Sequence, residues 1–303
     1  MDPGRVGMKN AISIFMLNIL FAVSPFSLAI ASESDMDSSP VQVVLGGTLL
    51  VKEGGEHHCQ AASFLGRQAR FLKPPARWSW SKDQEKRRVS LLGVDFADHP
   101  GIHTLRFIGC PGVSSRSILV VNRHFMTSRL HVKKSFVHPP KSFFDRIRRE
   151  SREIHQGLAE RTGIAFQEPF VMPINGRITH DFGAIRILNG TPLSRHSGED
   201  IDGPEGLPVK AANTGRVVIA DRFYYDGNMV ILDHGGGLFT EYLHLSRIRV
   251  KKGQRVRQGQ VVGNLGHTGR VTGPVLHYGA VLGNAHVNPL LLSKFPVAVL
   301  EIP

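Results

Sequence analysis

His196 and Asp200 are four residues apart, and with His277 far downstream they supply two imidazoles and a carboxylate. Three such donors plus a water in the fourth position make up an open zinc site of the catalytic kind. The first pair lies in Arg195-His196-Ser197-Gly198-Glu199-Asp200, where a turn entering a strand can fold the spacing around one ion. His277 lies in Gly273-Pro274-Val275-Leu276-His277-Tyr278 and would reach the same ion from a distant strand. Val275 precedes His277 by two residues, so in a strand the two share a face. H-x-x-x-D alone is a weak signal, because a lone His or Asp is ordinarily a hydrogen-bonded core or surface residue. The order of residues around it carries more.

The elements that must bring these residues together are mainly β. Short runs at Val41 to Val51, Ala76 to Ser81, Arg88 to Val94, His103 to Phe107 and Ser117 to Val121 predict a small sandwich-like N-terminal β domain over 41–125. Trp78 and Trp80 alternate in phase and are expected to pack in a core or between domains rather than form a sugar platform. Pro139-Pro140 then punctuates the chain. Ser142 is placed to cap a helix, and Phe144, Ile147, Ile154 and Leu158 form its apolar stripe among arginines and glutamates. This basic linker helix is expected within 140–163, with Gly163 as its stop. Over 170–295 glycines alternate with β-branched residues. Strands are expected at Leu207 to Ala212, Gly215 to Asp221, Met229 to His234, Leu238 to Leu243, Val261 to Leu265 and Pro274 to Val281, as a compact antiparallel β domain.

Composition limits the setting. The chain has 303 residues, 41% hydrophobic and 20% charged, enough for two ordinary domains. Arg5 and Lys9 precede an apolar run from Ala11 to Ala31 that is broken by Pro25 and ends in small residues, the anatomy of a signal peptide over 1–31. A retained membrane anchor is the alternative. Export suits the two cysteines, Cys59 and Cys110, either as one disulfide or as two buried thiols. Net charge is +12, and loss of Arg5, Lys9 and Asp2 with the leader leaves +11. Such a surface attracts polyanions, and for an exported protein these are anionic envelope polymers rather than nucleic acid.

A train of further motifs surrounds the candidate ligands. It opens with Gly176-Arg177-Ile178-Thr179-His180-Asp181-Phe182-Gly183 and continues after Asp200 with Ala211-Ala212-Asn213-Thr214-Gly215 and Gly227-Asn228. Thr240-Glu241-Tyr242-Leu243-His244-Leu245, Gly253-Gln254-Arg255-Val256, Gly259-Gln260-Val261-Val262 and Gly266-His267-Thr268-Gly269 follow, and Thr272 to His277 closes it. Over roughly residues 174–293 this order resembles the lysostaphin-type, or LytM-like, zinc metallopeptidases, which cleave peptide cross-links in bacterial cell walls. The resemblance implies the duplicated hybrid motif fold, Zn2+ held by His196, Asp200 and His277, and His244 as a non-ligand catalytic histidine. It implies a second such histidine at the position held here by Val275, which can neither donate nor accept a proton. An acid, base or oxyanion group of this kind is worth about a hundred- to ten-thousand-fold in rate. Zinc binding is expected to survive that replacement. Turnover then depends on His244, unless His180 or His267 swings into the gap. His234 is expected to close a strand outside the site.

Three functions follow from these residues. The first is an exported zinc endopeptidase acting on peptidoglycan stem peptides and cross-bridges, and the intact ligand triad favours it. The second, resting on Val275, is a LytM-like regulator that activates another wall hydrolase. The third is a carrier domain of biotinyl or lipoyl type, which needs a lysine at a hairpin tip, and none occurs between Lys252 and Lys294.

Overall fold

The computed structural model describes residues 39–302 except 55–58, 76–77, 79–86, 133, 167–168 and 296–297. The leader expected over 1–31 and most of the strand expected from Ala76 to Ser81, with Trp80, lie outside the described residues. Gly46, in the left-handed region at φ +78°, breaks the expected Val41 to Val51 strand in two. The pieces are β1 (Val41–Val44) and β2 (Thr48–Glu53), followed by β3 (Ala61–Phe64), β4 (Arg67–Arg70), β5 (Arg88–Gly93), β6 (Gly101–Ile108) and β7 (Ser115–Val121). One sheet runs β1-β7-β6-β3-β4, while β2 pairs with β5. Both contribute to one core, with Leu49 and Val51 from β2 and Phe64, Leu105, Ile118 and Val120 from the larger sheet. Cys59 and Cys110 are joined as a disulfide.

After β8 (Thr127–Leu130) and the short α1 (Lys134–Val137), the basic helix α2 spans Phe144–Leu158. A single 3-10 turn, Lys141–Phe143, precedes it, and Phe143 occupies the N-cap position without a side-chain cap bond. The predicted Ser142 cap is therefore not made, because the 3-10 turn takes Ser142 inside helical structure. The helix also stops five residues before Gly163, with the Ala159 N–H bonded to the Gln156 carbonyl. Ile154 and Leu158 pack on Val218, Ile219, Phe239 and Val281, whereas Phe144 is left exposed.

The remaining strands are β9 (Ile178–His180), β10 (Ile185–Leu188), β11 (Thr191–Arg195), β12 (Gly198–Asp202), β13 (Pro208–Lys210), β14 (Gly215–Phe223), β15 (Gly227–Gly235), β16 (Leu238–Leu245), β17 (Arg247–Ile248), β18 (Arg255–Val256), β19 (Val261–Asn264), β20 (Val275–Leu282), β21 (Ala285–His286) and β22 (Ala298–Ile302). The principal sheet runs β18-β14-β15-β16-β20-β12-β9, antiparallel where β12 meets β20 and β20 meets β16. Its alternation separates two faces. Leu276, Tyr278, Ala280 and Leu282 of β20 enter the large core with Ile201, Val230, Leu232 and Tyr242. Val275, His277, Gly279 and Val281 point the other way, as alternate residues must. Trp78 also enters the large core, packing against Phe166 and Phe295.

Four short strands between Gly176 and Asp202 were not expected from the sequence, and one of them, β12, carries Asp200. Sequence periodicity also missed β22. This last strand returns to the N-terminal half and pairs in parallel with β2, Leu49 opposite Ala298 and Glu53 opposite Ile302.

Ile302 is 2% exposed at the end of that strand. Ile302→Ala is expected to destabilise the protein by about 2–5 kcal/mol, read as a lower urea midpoint at unchanged slope. An unmoved midpoint would mean that β22 contributes nothing to the N-terminal core.

Candidate metal centre

Register brings the ligand candidates together. Asp200 pairs with His277 across β12 and β20, and with His180 across β12 and β9. His196 lies in the two-residue link between β11 and β12. Its N–H bonds to the Ala184 carbonyl, and its own carbonyl accepts from Gly183 N–H, so the link is fixed at both ends. The His196 Nε2, Asp200 Oδ1 and His277 Nδ1 atoms form a triangle with edges of 3.0, 3.0 and 2.9 Å. All three residues are buried.

These atoms fit a zinc ion. Zinc bonds of about 2.0–2.2 Å to nitrogen and oxygen set tetrahedral donors about 3.3–3.5 Å apart, so the triangle needs to open by only a few tenths of an ångström. His196 Nδ1 lies 3.0 Å from the Asp181 carbonyl, which must accept its proton and so leaves the Nε2 lone pair aimed at the triangle. Burial pushes the His196 imidazole down to about 4, so it is neutral and able to ligate at pH 7. Burial opposes ionisation of Asp200, but the neighbouring His196 and His277 rings outweigh it and hold the carboxyl well below the usual range. Gly198 supplies the space: a Cβ there would lie 2.7 Å from His277 Nε2 and 2.5 Å from the Tyr278 carbonyl oxygen.

His244 is the next group outward. Leu243 pairs with His277, so regular alternation would turn the following residue to the opposite face. His244 instead has φ +65°, which brings its ring to 6.2 Å from that of His277, centroid to centroid. Its Nδ1 lies 2.9 Å from the Thr268 carbonyl, and that acceptor leaves Nε2 as the ring's lone-pair nitrogen. Burial pushes His244 down to about 3. The Thr268 loop can approach because residue 227 is glycine; a Cβ there would lie 2.3 Å from Thr268 Oγ1.

Two cavities flank the triad. One of about 220 Å³ is lined by His180, Arg186, Asp200, His244, Arg270 and Val275, and one of about 290 Å³ by residues that include Phe96, Arg195, His196, His277 and the same His244. Val275 therefore faces the cleft as strand geometry requires. His180 Nδ1 comes within 3.5 Å of Asp200 Oδ2. His267 does not reach the triad; it lies 3.1 Å from Glu205 and outside both cavities. His234 is buried elsewhere, its ring nitrogens engaged by the Thr214 carbonyl and Thr240 Oγ1. The N-terminal half reaches the same cleft through Phe96, which stacks on His286 and lies beneath Arg195.

Sequence reasoning missed Arg186, whose Nη2 donates to Asp200 Oδ2 at 2.6 Å, and Arg270. Both were next to motifs already singled out. Arg186 follows Gly183 by three residues, and Arg270 directly follows Gly266-His267-Thr268-Gly269.

Residues 194–289 match the profile of peptidase family M23. The chain is 38% identical over 161 residues to peptidoglycan DD-endopeptidase ShyA of Vibrio cholerae, a match covering 51% of this chain and 37% of that protein. It is 42% identical over 98 residues to the DD-carboxypeptidase/endopeptidase Mpg of Neisseria meningitidis, covering 32% of this chain and 23% of that one. The match thus spans well under half the length of these curated relatives. A Pseudomonas aeruginosa crystal structure named for peptidase M23 superposes with a TM-score of 0.63 at 26% identity, covering 82% of this chain and 94% of that one. The catalytic domain of lysostaphin from Staphylococcus simulans is 31% identical, with 93% of that chain and 40% of this one covered and a TM-score of 0.36.

Two substitutions test this geometry. Gly198→Ala should displace the His277 ring and weaken zinc binding at least about tenfold in a chelator competition, since overpacking of this kind costs about 1–3 kcal/mol; unchanged affinity would contradict the packing. Glu199, on the core face of β12, has its carboxyl pushed up to about 7 by burial. The folded state therefore holds that proton more tightly than the unfolded one, and the stability it confers is complete below about pH 4.5 and is lost as pH rises through 7. Glu199→Gln should flatten that fall between pH 5 and 8 in thermal melts. Identical slopes for the two proteins would refute it.

Proposed function

Residues 194–289 form a domain of peptidase family M23, and from that premise we propose that the chain is an exported zinc metalloendopeptidase that hydrolyses peptide cross-links of bacterial peptidoglycan. The observation that carries the reading is the convergence of His196 Nε2, Asp200 Oδ1 and His277 Nδ1 to within 3.0 Å of one another beside an open cleft. The names of the Vibrio and Neisseria relatives support the substrate class. The apolar leader-like segment and the disulfide support export to the periplasm or cell envelope.

In this proposal His196, Asp200 and His277 are the metal ligands. Bound zinc at such a site polarises an amide carbonyl and acidifies its water. His244 is the residue that takes a proton in the cleft: its Nδ1 is committed to the Thr268 carbonyl, burial keeps the ring neutral, and Nε2 is left to accept. Arg186 restrains the Asp200 oxygen that faces away from the triangle and so keeps Oδ1 turned inward. Val275 contributes shape but no proton transfer. His180 stands beside Asp200 on the same face, the nearest imidazole able to share the work of the missing histidine.

His244→Ala should lower kcat about a hundred- to ten-thousand-fold while leaving zinc content near one per chain; loss of metal instead would make His244 a structural residue. Purified peptidoglycan treated with the native protein and with Val275→His should release cross-link cleavage products in both cases, faster with Val275→His. Products appearing only with Val275→His would favour the regulator of another wall hydrolase.

A further inference from the structure

A further concavity, of about 620 Å³, shares no lining residue with the two beside the triad. Its wall carries the rings of Phe136, Phe143 and Tyr224, each half-buried, with the side chains of Arg146 and Arg222 among them. Tyr224 meets both other rings, at 4.9 Å from Phe143 and 5.6 Å from Phe136 between centroids. Single exposed rings are ordinary on a protein surface, whereas three left partly open in one concave patch mark a place where something binds.

The wall is set before any ligand arrives. Phe136 from α1 and Phe143 from the 3-10 turn lie on either side of Pro139-Pro140, whose fixed backbone limits how far they can separate. Tyr224 Oη donates to the Ser135 carbonyl at 3.0 Å, and its main-chain N–H donates to Glu150 Oε2 at 2.9 Å. The other oxygen of Glu150 accepts from Arg146 Nε at 2.6 Å, so Arg146 is both placed and neutralised. Arg222 has no side-chain partner among the described residues, and no carboxylate lines the groove itself. A wall held in this way gives up little entropy when it is covered.

Only one turn separates the groove from the cleft. Thr268 lines the groove, while its carbonyl accepts from His244 Nδ1 at 2.9 Å. Tyr224 and Tyr225 are consecutive and divide between the two spaces, Tyr224 in the groove and Tyr225 in the larger cavity beside His277. A polymer with a side branch in the cleft would therefore carry its backbone past these rings.

We propose that this groove is a saccharide subsite, and that its occupant is the glycan strand from which the stem peptides branch. The flat C–H face of a pyranose stacks on an aromatic ring, whose face is electron-rich, and sugar hydroxyls and N-acetyl carbonyls accept from guanidinium N–H groups. A polyanion would leave the three rings without a role, and an apolar peptide would leave Arg222 without one. The identity of the strand rests on the peptidase reading, whereas saccharide binding is a property of the groove alone.

The test is an NMR titration of the zinc-loaded protein with tetra-N-acetylchitotetraose, a neutral oligosaccharide that carries no peptide. Saturable amide shifts should centre on residues 134–146, 222–224 and 267–269. Phe136→Ala and Arg222→Gln should each weaken binding about three- to tenfold, and Arg222→Gln, at an exposed position, should do so without moving the thermal midpoint. Absence of saturable shifts, shifts confined to the cleft, or native affinity in both variants would overturn the proposal. So would tighter binding of inorganic polyphosphate at the same residues, which would make the groove a patch for anions. Digestion of peptidoglycan reads the peptidase proposal separately: saccharide binding without cleavage defeats only the latter, and cleavage without saccharide binding only the former.

Discussion

The pairing of Asp200 with His277 across two antiparallel strands is the constraint on which the rest of the structure depends. Side chains directly opposite in such a pair are the closest neighbours a sheet offers, and a one-residue slip would send both to the other face. The slip is forbidden by what lies behind. Leu276, Tyr278 and Ile201, on the reverse of the same strands, are fully enclosed in the large core. Burial on one face therefore enforces ligand geometry on the other. His196 and His244 are added to this frame by irregular backbone, a two-residue link and a left-handed residue respectively. Gly198 and Gly227 keep the frame from being pushed apart.

Electrostatics makes the site one that favours a cation. Three polar donors are held together away from water, and such a cluster is costly unless its members are paired or bound to a metal. Protons can satisfy only part of the triangle, because each of its edges needs a donor and Asp200 is ionised. Beyond the triangle, Arg186 and Arg270 place positive charge at the cleft.

Much of this was legible in the sequence, and the reasons differ by residue. The six strands expected between Leu207 and Val281 occur because long β-branched runs between glycine turns have one dominant reading. The triad was legible through motif order rather than local pattern. The strands around Asp200 were not, since Ile178–His180 and Thr191–Arg195 are too short and polar for a period-two signal. β22 was missed because parallel pairing with a strand some 250 residues earlier leaves no local trace. The Ser142 cap failed because a 3-10 turn used that residue first. Arg186 and Arg270 carried no spacing that marks chemistry, and only folding shows that both reach one cleft. Val275 was legible as a departure, whereas the arginines beside it were not.

The central claim is that His196, Asp200 and His277 form one zinc site. Anomalous diffraction at the zinc edge from crystals of the protein grown without added metal tests it most directly. The account predicts a single strong peak about 2.0–2.2 Å from His196 Nε2, His277 Nδ1 and Asp200 Oδ1. A peak on other residues, or none at this triangle in protein that carries zinc, would contradict it.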